Sequence, residues 1–114
     1  MIPRRLAVRA GISYGTGAIN FDNDAFVFER ELRKFPNDTS LENLQQAVED
    51  GDLEAATEAA NNLREVAGKL ALSHLYASVG PVLAALQEEA LPSVEELAEV
   101  EAQHKQICDF LATV

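Results

Sequence analysis

Residues 52–76 read DLEAATEAANNLREVAGKLALSHLY. Leu53, Ala56, Ala60, Leu63, Ala67 and Leu70 recur there at steps of three and four, which lines one face of a helix. Asp52 opens the run as a good N-cap, since its carboxylate can accept from the orphan N–H groups of a first turn. The spacing predicts a helix from Asp52 to about Leu72. Glu54, Glu58, Asn61, Glu65 and Gly68 then fall on the opposite, solvent-facing side. A helix with one apolar stripe must bury that stripe against other elements, so its neighbours decide the fold.

Those neighbours are helical as well. Upstream, Ala25, Phe28, Leu32 and Phe35 share one face of a helix predicted from about Asp22 to Phe35, which Pro36 stops. Thr39-Ser40-Leu41-Glu42 fits a capping box, Leu41, Leu44 and Val48 line the inner face behind it, and Gly51 ends that helix. Downstream, Leu75, Val79, Val82 and Leu86 face inward from a helix predicted over Ser73–Glu89, which Gly80-Pro81 should bend. Ser93-Val94-Glu95-Glu96 is a second capping box, and it starts a last helix whose stripe is Leu97, Val100, His104, Ile107, Cys108 and Leu111. Residues 1–20, with Gly11, Gly15 and Gly17 close together, read as an irregular or short-helical segment that caps one end. Met1 to Arg9 is expected to be frayed or lightly packed, and Tyr14, Phe26 and Phe28 to pack as core or lid. Short connections between amphipathic helices predict an all-α fold. Its expected architecture is an up-down antiparallel four-helix bundle with a short N-terminal capping segment, and residues 1–114 form one domain.

Composition narrows the function classes. Nine Lys and Arg stand against 19 Asp and Glu, a net charge of −10, which is the wrong sign for a protein that tracks nucleic-acid phosphates. Hydrophobic residues make up 47% of the chain, enough for a packed core. No run approaches the ~20 apolar residues that span a bilayer, and no signal-peptide pattern opens the chain, so a cytoplasmic location is expected. The single cysteine, Cys108, excludes an internal disulfide and reads as a buried structural thiol. No phosphate-cradling loop, nucleophile elbow or zinc spacing occurs, so neither a cofactor nor a metal is expected. Glu101-Ala102-Gln103-His104 gives one Glu-x-x-His, where a carboxylate-bridged metal pair in a bundle takes two. The remaining acids read as a solvated face, and His104 as a hydrogen-bonded core or boundary histidine.

The run Ala59-Ala60-Asn61-Asn62-Leu63-Arg64-Glu65, continued by Val66-Ala67-Gly68-Lys69-Leu70-Ala71-Leu72, resembles the histidine-containing phosphotransfer (Hpt) domain of bacterial phosphorelays. That family carries Ala-Ala-His-x-Leu-Lys-Gly, then small residues and a Leu-Gly-Leu-like turn. Gly11-Ile12-Ser13-Tyr14, Phe21, Lys34-Phe35-Pro36-Asn37-Asp38 and Ala47-Val48-Glu49-Asp50-Gly51-Asp52 extend the similarity over roughly the whole chain. The resemblance implies a helical bundle and a role in two-component signalling. Its partners would be a response-regulator receiver domain or a sensor kinase.

Family members carry the phosphoryl group on an exposed imidazole, which needs a nucleophilic nitrogen with a pKa near neutrality. Asn61 stands at that position, and its amide nitrogen is delocalised into the carbonyl. Glu65 replaces the family glycine one turn on, beside Asn61, and would repel the aspartate-rich pocket of a receiver. Arg64 keeps the positive charge of the family lysine. The resemblance therefore implies a degenerate member that is not an enzyme and acts through contact. Its docking residues would be Asn61, Asn62, Arg64, Glu65, Gly68 and Lys69. Two alternatives stay open: a bundle retained for homodimerisation or other self-association, and phosphotransfer through another histidine such as His74.

Overall fold

The computed structural model describes all residues, 1–114. It is all-helical and contains no strand. Helices α1 (Arg4–Arg9), α2 (Tyr14–Asn20) and α3 (Ala25–Arg33) are followed by a 3-10 turn over Phe35–Asn37. Helices α4 (Ser40–Asp50), α5 (Leu53–Lys69), α6 (Ser73–Gln87) and α7 (Val94–Ala112) complete the chain. Each of these last four packs against the next in sequence, and Gln45 of α4 donates to Glu101 of α7 at 2.6 Å. No helix is long and apolar enough to cross a membrane.

The local chemistry explains the boundaries. Asp52 accepts from the Ala55 N–H at 3.0 Å, capping α5 as its sequence predicts. Gly51 ends α4 at φ 68°, in the left-handed region where a side chain would be strained. Ser93 and Glu96 form the reciprocal capping box of α7, with bonds of 3.1 and 2.8 Å. The box expected at Thr39 does not form. The Asp38 carboxylate instead accepts from the Ser40 N–H at 2.9 Å, two residues away, which is the tighter local geometry an Asp offers. The first long helix is also shorter than its periodicity suggests. Asp22 and Asn23 adopt positive φ, and Asp24 caps α3 by accepting from Val27 at 3.1 Å. Pro36 leaves Phe35 in the 3-10 turn. Helix α6 runs unbroken through Pro81.

The α5 seam is as expected: Ala56, Ala60, Leu63 and Ala67 are fully buried, facing Leu44 of α4, Leu75, Val79 and Val82 of α6, and Val100 and Ile107 of α7 in one core.

The N-terminal segment is more deeply built in than expected. Ile2, Ala7, Ala10, Ile12 and Tyr14 are all buried in that same core. The expectation of a lightly packed start is therefore corrected. Backbone bonds and side chains hold the segment over one end of the long helices. The Ser13 N–H donates to Ala71 between α5 and α6 at 2.8 Å, and Gln106 of α7 donates to the Arg9 carbonyl at 3.0 Å. Asn20 donates to the Gly68 and Lys69 carbonyls at 3.2 and 3.1 Å at the C-terminus of α5, where the Gly68 carbonyl also accepts from the Ala71 N–H.

Glu29 is the pin of this cap. One carboxylate oxygen accepts from the Ile2 N–H at 2.9 Å, and the other accepts from the buried Tyr14 hydroxyl. Burial, that hydrogen bond and the Glu29 charge push the Tyr14 phenol up to about 12. Glu29→Ala leaves both donors without partners, and the expected cost is about 1–3 kcal/mol in urea unfolding. The Tyr14 titration should fall back toward the ordinary tyrosine value, resolvable by ultraviolet absorbance because Tyr76 is the only other tyrosine. An unchanged titration in Glu29→Ala would show that Glu29 does not hold the phenol.

Candidate functional site

A single outward face of α5 collects the residues singled out from the sequence. Its period puts Glu54, Glu58, Asn61, Glu65 and Gly68 opposite the buried seam. Glu54, Glu58 and Glu65 are exposed, as are Asn62, Arg64 and Lys69. Asn61 and Gly68 are half-buried, so the centre of the face is shallowly recessed rather than fully in solvent.

Residues outside α5 cover the Gly68 end of this face, and periodicity within α5 cannot reveal them. Tyr76 of α6 lies over Gly68, its ring 3.4 Å from where a β-carbon would sit. Asn20 of α2 covers the same turn through its two hydrogen bonds. Phe21 lies beneath the Lys69 ammonium, 5.5 Å from the ring centroid, a cation–π contact. Lys69, Val66 and Leu70 line a depression of about 200 Å³ with Phe21, Lys34 and Asp38. Asn62 turns toward α4, where it borders a shallow groove with Asn43 and Glu58. The six residues thus form a continuous strip along α5, with Asn62 and Lys69 on one flank and Arg64 on the other. Neither Arg64 nor Glu65 forms an ion pair.

The central polar group of this strip is an amide, with Glu58 and Arg64 three residues to either side of it and Glu65 four residues on. His74 is exposed at the start of α6, its ring packed on Gly11 of the cap. Lys69, the last residue of α5, lies about 12 Å along the axis from Asn61, and His74 follows the turn beyond it. The two positions belong to different parts of the surface.

His104 and Cys108 occupy the inner edge of α7. The His104 ring is 4.9 Å from that of Phe35, and its Nδ1 lies 3.7 Å from the Cys108 sulfur. Its Nε2 is buried without a partner, so the hydrogen-bonded histidine expected here is corrected to one satisfied only by a weak sulfur contact. Burial drives the His104 pKa below its ordinary value, against the opposing pull of Asp38 and Glu42. Burial, helped by Asp109, raises the Cys108 thiol and keeps it protonated, unlike a nucleophile. No group of three or more His, Cys, Asp or Glu side chains is placed to hold a metal ion.

A depressed histidine means that the unfolded chain binds more protons in the window just below its ordinary value. Stability from His104 is therefore complete above about pH 6.5 and is lost as the pH falls from there through the folded value. In urea unfolding, the wild type should lose more stability than His104→Gln between about pH 7.5 and 5.5. Equal losses would show that this imidazole titrates freely.

Phe26 departs from expectation. It is expected to pack with Tyr14 and Phe28, yet it is 78% exposed, because two residues before Phe28 it falls about 160° around α3, on the face opposite Phe28 and Leu32.

No protein-family model, no curated protein and no solved structure matches this chain.

Proposed function

We propose that this chain is an Hpt-like module of a two-component phosphorelay, one that meets a receiver domain or sensor kinase without carrying the phosphoryl group itself. In this reading α4 to α7 form an up-down antiparallel four-helix bundle, with α1 to α3 as its cap. The observation that carries it is the shared outward face of α5, where the half-buried Asn61 takes the place of the family's imidazole. Arg64 remains exposed beside it to face an acidic receiver pocket. Glu65 is exposed one turn away and opposes that pocket. A like charge in such an interface can cost several kcal/mol, so docking here is weak and selective.

The test is incubation with phosphorylated receiver domains from the same genome, followed by intact mass measurement at neutral pH. The chain should gain no phosphoryl group, and the receivers should lose theirs at the rate they show alone. A phosphoryl group on any residue of the chain, His74 above all, would overturn the reading. Glu65→Gly alone should tighten receiver binding by about tenfold or more, since 1.4 kcal/mol is a factor of ten. Calorimetry showing equal or weaker binding for that variant would remove Glu65 from the interface.

A further inference from the structure

Charge is distributed along this molecule very unevenly. Six of the nine cations, Arg4, Arg5, Arg9, Arg30, Arg33 and Lys34, lie within the first 34 residues. The other three are Arg64 and Lys69 toward the C-terminus of α5 and Lys105 one residue before Gln106, which touches the cap. The opposite end holds the Gly51 turn and the α6–α7 connection. Helix α5 has 17 residues, which puts that end about 25 Å from the cap. Asp50, Asp52, Glu88, Glu89, Glu95 and Glu96 gather there without one cation among them.

Exposed apolar side chains follow the same division. Met1, Leu6, Val8, Ile19 and Phe26 are exposed on the cap, and Leu91 and Val94 on the acidic end. Phe26 borders an open depression of about 420 Å³ lined also by Arg30, Arg33 and Glu29, whose carboxylate is already engaged by the Ile2 N–H and the Tyr14 hydroxyl, so the two arginines set the sign of its rim. Val94, 83% exposed, sits directly before Glu95 and Glu96. One end is therefore an apolar depression with a basic rim, and the other is an apolar knob with an acidic rim.

We propose that the Phe26 depression receives the Leu91–Glu96 end of a second copy of this chain. The two surfaces complement each other in both charge and polarity, and a single chain presents both. The net charge of −10 does not prevent this. At 0.15 M salt the screening length is about 8 Å, well short of the 41 Å length of the molecule. The contacting ends therefore act on each other while the distant acids are screened. A contact between different surfaces of identical chains leaves one free surface of each kind after two copies have met, so further copies add head to tail. This inference is independent of the α5 face, and its failure would leave the phosphorelay reading untouched.

Two substitutions at exposed positions test it: Phe26→Glu on the cap and Val94→Lys on the acidic end, each first checked for native helicity by circular dichroism. In sedimentation equilibrium up to about 1 mM, the wild type should rise past the mass of two chains. Each variant alone should remain at one chain. Their equimolar mixture should rise to two chains and stop, because each supplies the end that the other has lost. A wild type that stays monomeric overturns the proposal, and so does a plateau at two chains for the wild type or a mixture that stays monomeric. For a monomeric wild type, binding to phosphatidylserine vesicles that Phe26→Glu abolishes would assign the depression to an anionic lipid surface instead.

Discussion

On the proposed phosphorelay reading, Asn61→His combined with Glu65→Gly is expected to make the chain take a phosphoryl group stoichiometrically from a phosphorylated receiver. Asn61 sits at the centre of the outward face of α5, half-buried, where an imidazole would meet solvent on its outer edge. The change supplies a nitrogen with a lone pair near neutral pH, which an amide lacks. Removing Glu65 takes away a carboxylate one turn along, where positions four apart are neighbours. Arg64 already stands exposed beside the site to balance the charge of a transferred group. Asn61→His alone should react more slowly, by the factor that the Glu65 charge imposes on docking. Phosphohistidine can be followed by intact mass at neutral pH. No acceptance by the double variant, with its helicity intact, would show that the face, narrowed at its Gly68 end by Tyr76 and Asn20, has the wrong shape for a receiver.

The largest stability effect is expected for Phe28→Ala, at about 3–5 kcal/mol. Phe28 is fully buried. Its ring meets Tyr14 edge-on at 5.3 Å and Phe21 at 6.0 Å, and it packs closely against Gly17. Any side chain at position 17 would enter the space of that ring. Phe28 therefore joins α2 and α3, and its loss leaves a cavity that a well-packed cap cannot close. Small domains have about 5–15 kcal/mol in hand, so the cap should exchange its amide hydrogens long before the helices it covers. Urea unfolding with hydrogen exchange measures both effects. A cost under about 1 kcal/mol would mean that the cap does not depend on this ring.

What could be read from the sequence follows from element length. Helix α5 has 17 residues and α7 has 19, long enough for several turns of apolar spacing to repeat, and their seams and caps match the reading. Helices α1 and α2 have 6 and 7 residues, too short for periodicity to mark a buried face. Ile2, Ala7 and Ile12 thus gave no local sign of their burial, and the signal in Gly11 and Gly17 was tertiary. Gly11 adopts φ +78° with the His74 ring against it, and Gly17 makes room for Phe28. Both need contacts from residues distant in sequence. The α5 face was legible as a face because side-chain direction follows from the helical period. Its recess was not, since Tyr76 and Asn20 come from other helices. Phe26 shows the opposite case, an aromatic grouped with the core by residue type although the period of α3 puts it opposite Phe28.

The most direct test of the central claim is a two-dimensional amide titration of the isotope-labelled chain with receiver domains from its own genome. Fast-exchange shifts are expected at Asn61, Arg64, Glu65, Gly68 and Tyr76, with the cap and the acidic end unmoved. No shifts at high micromolar receiver, or shifts confined to surfaces away from α5, would contradict it.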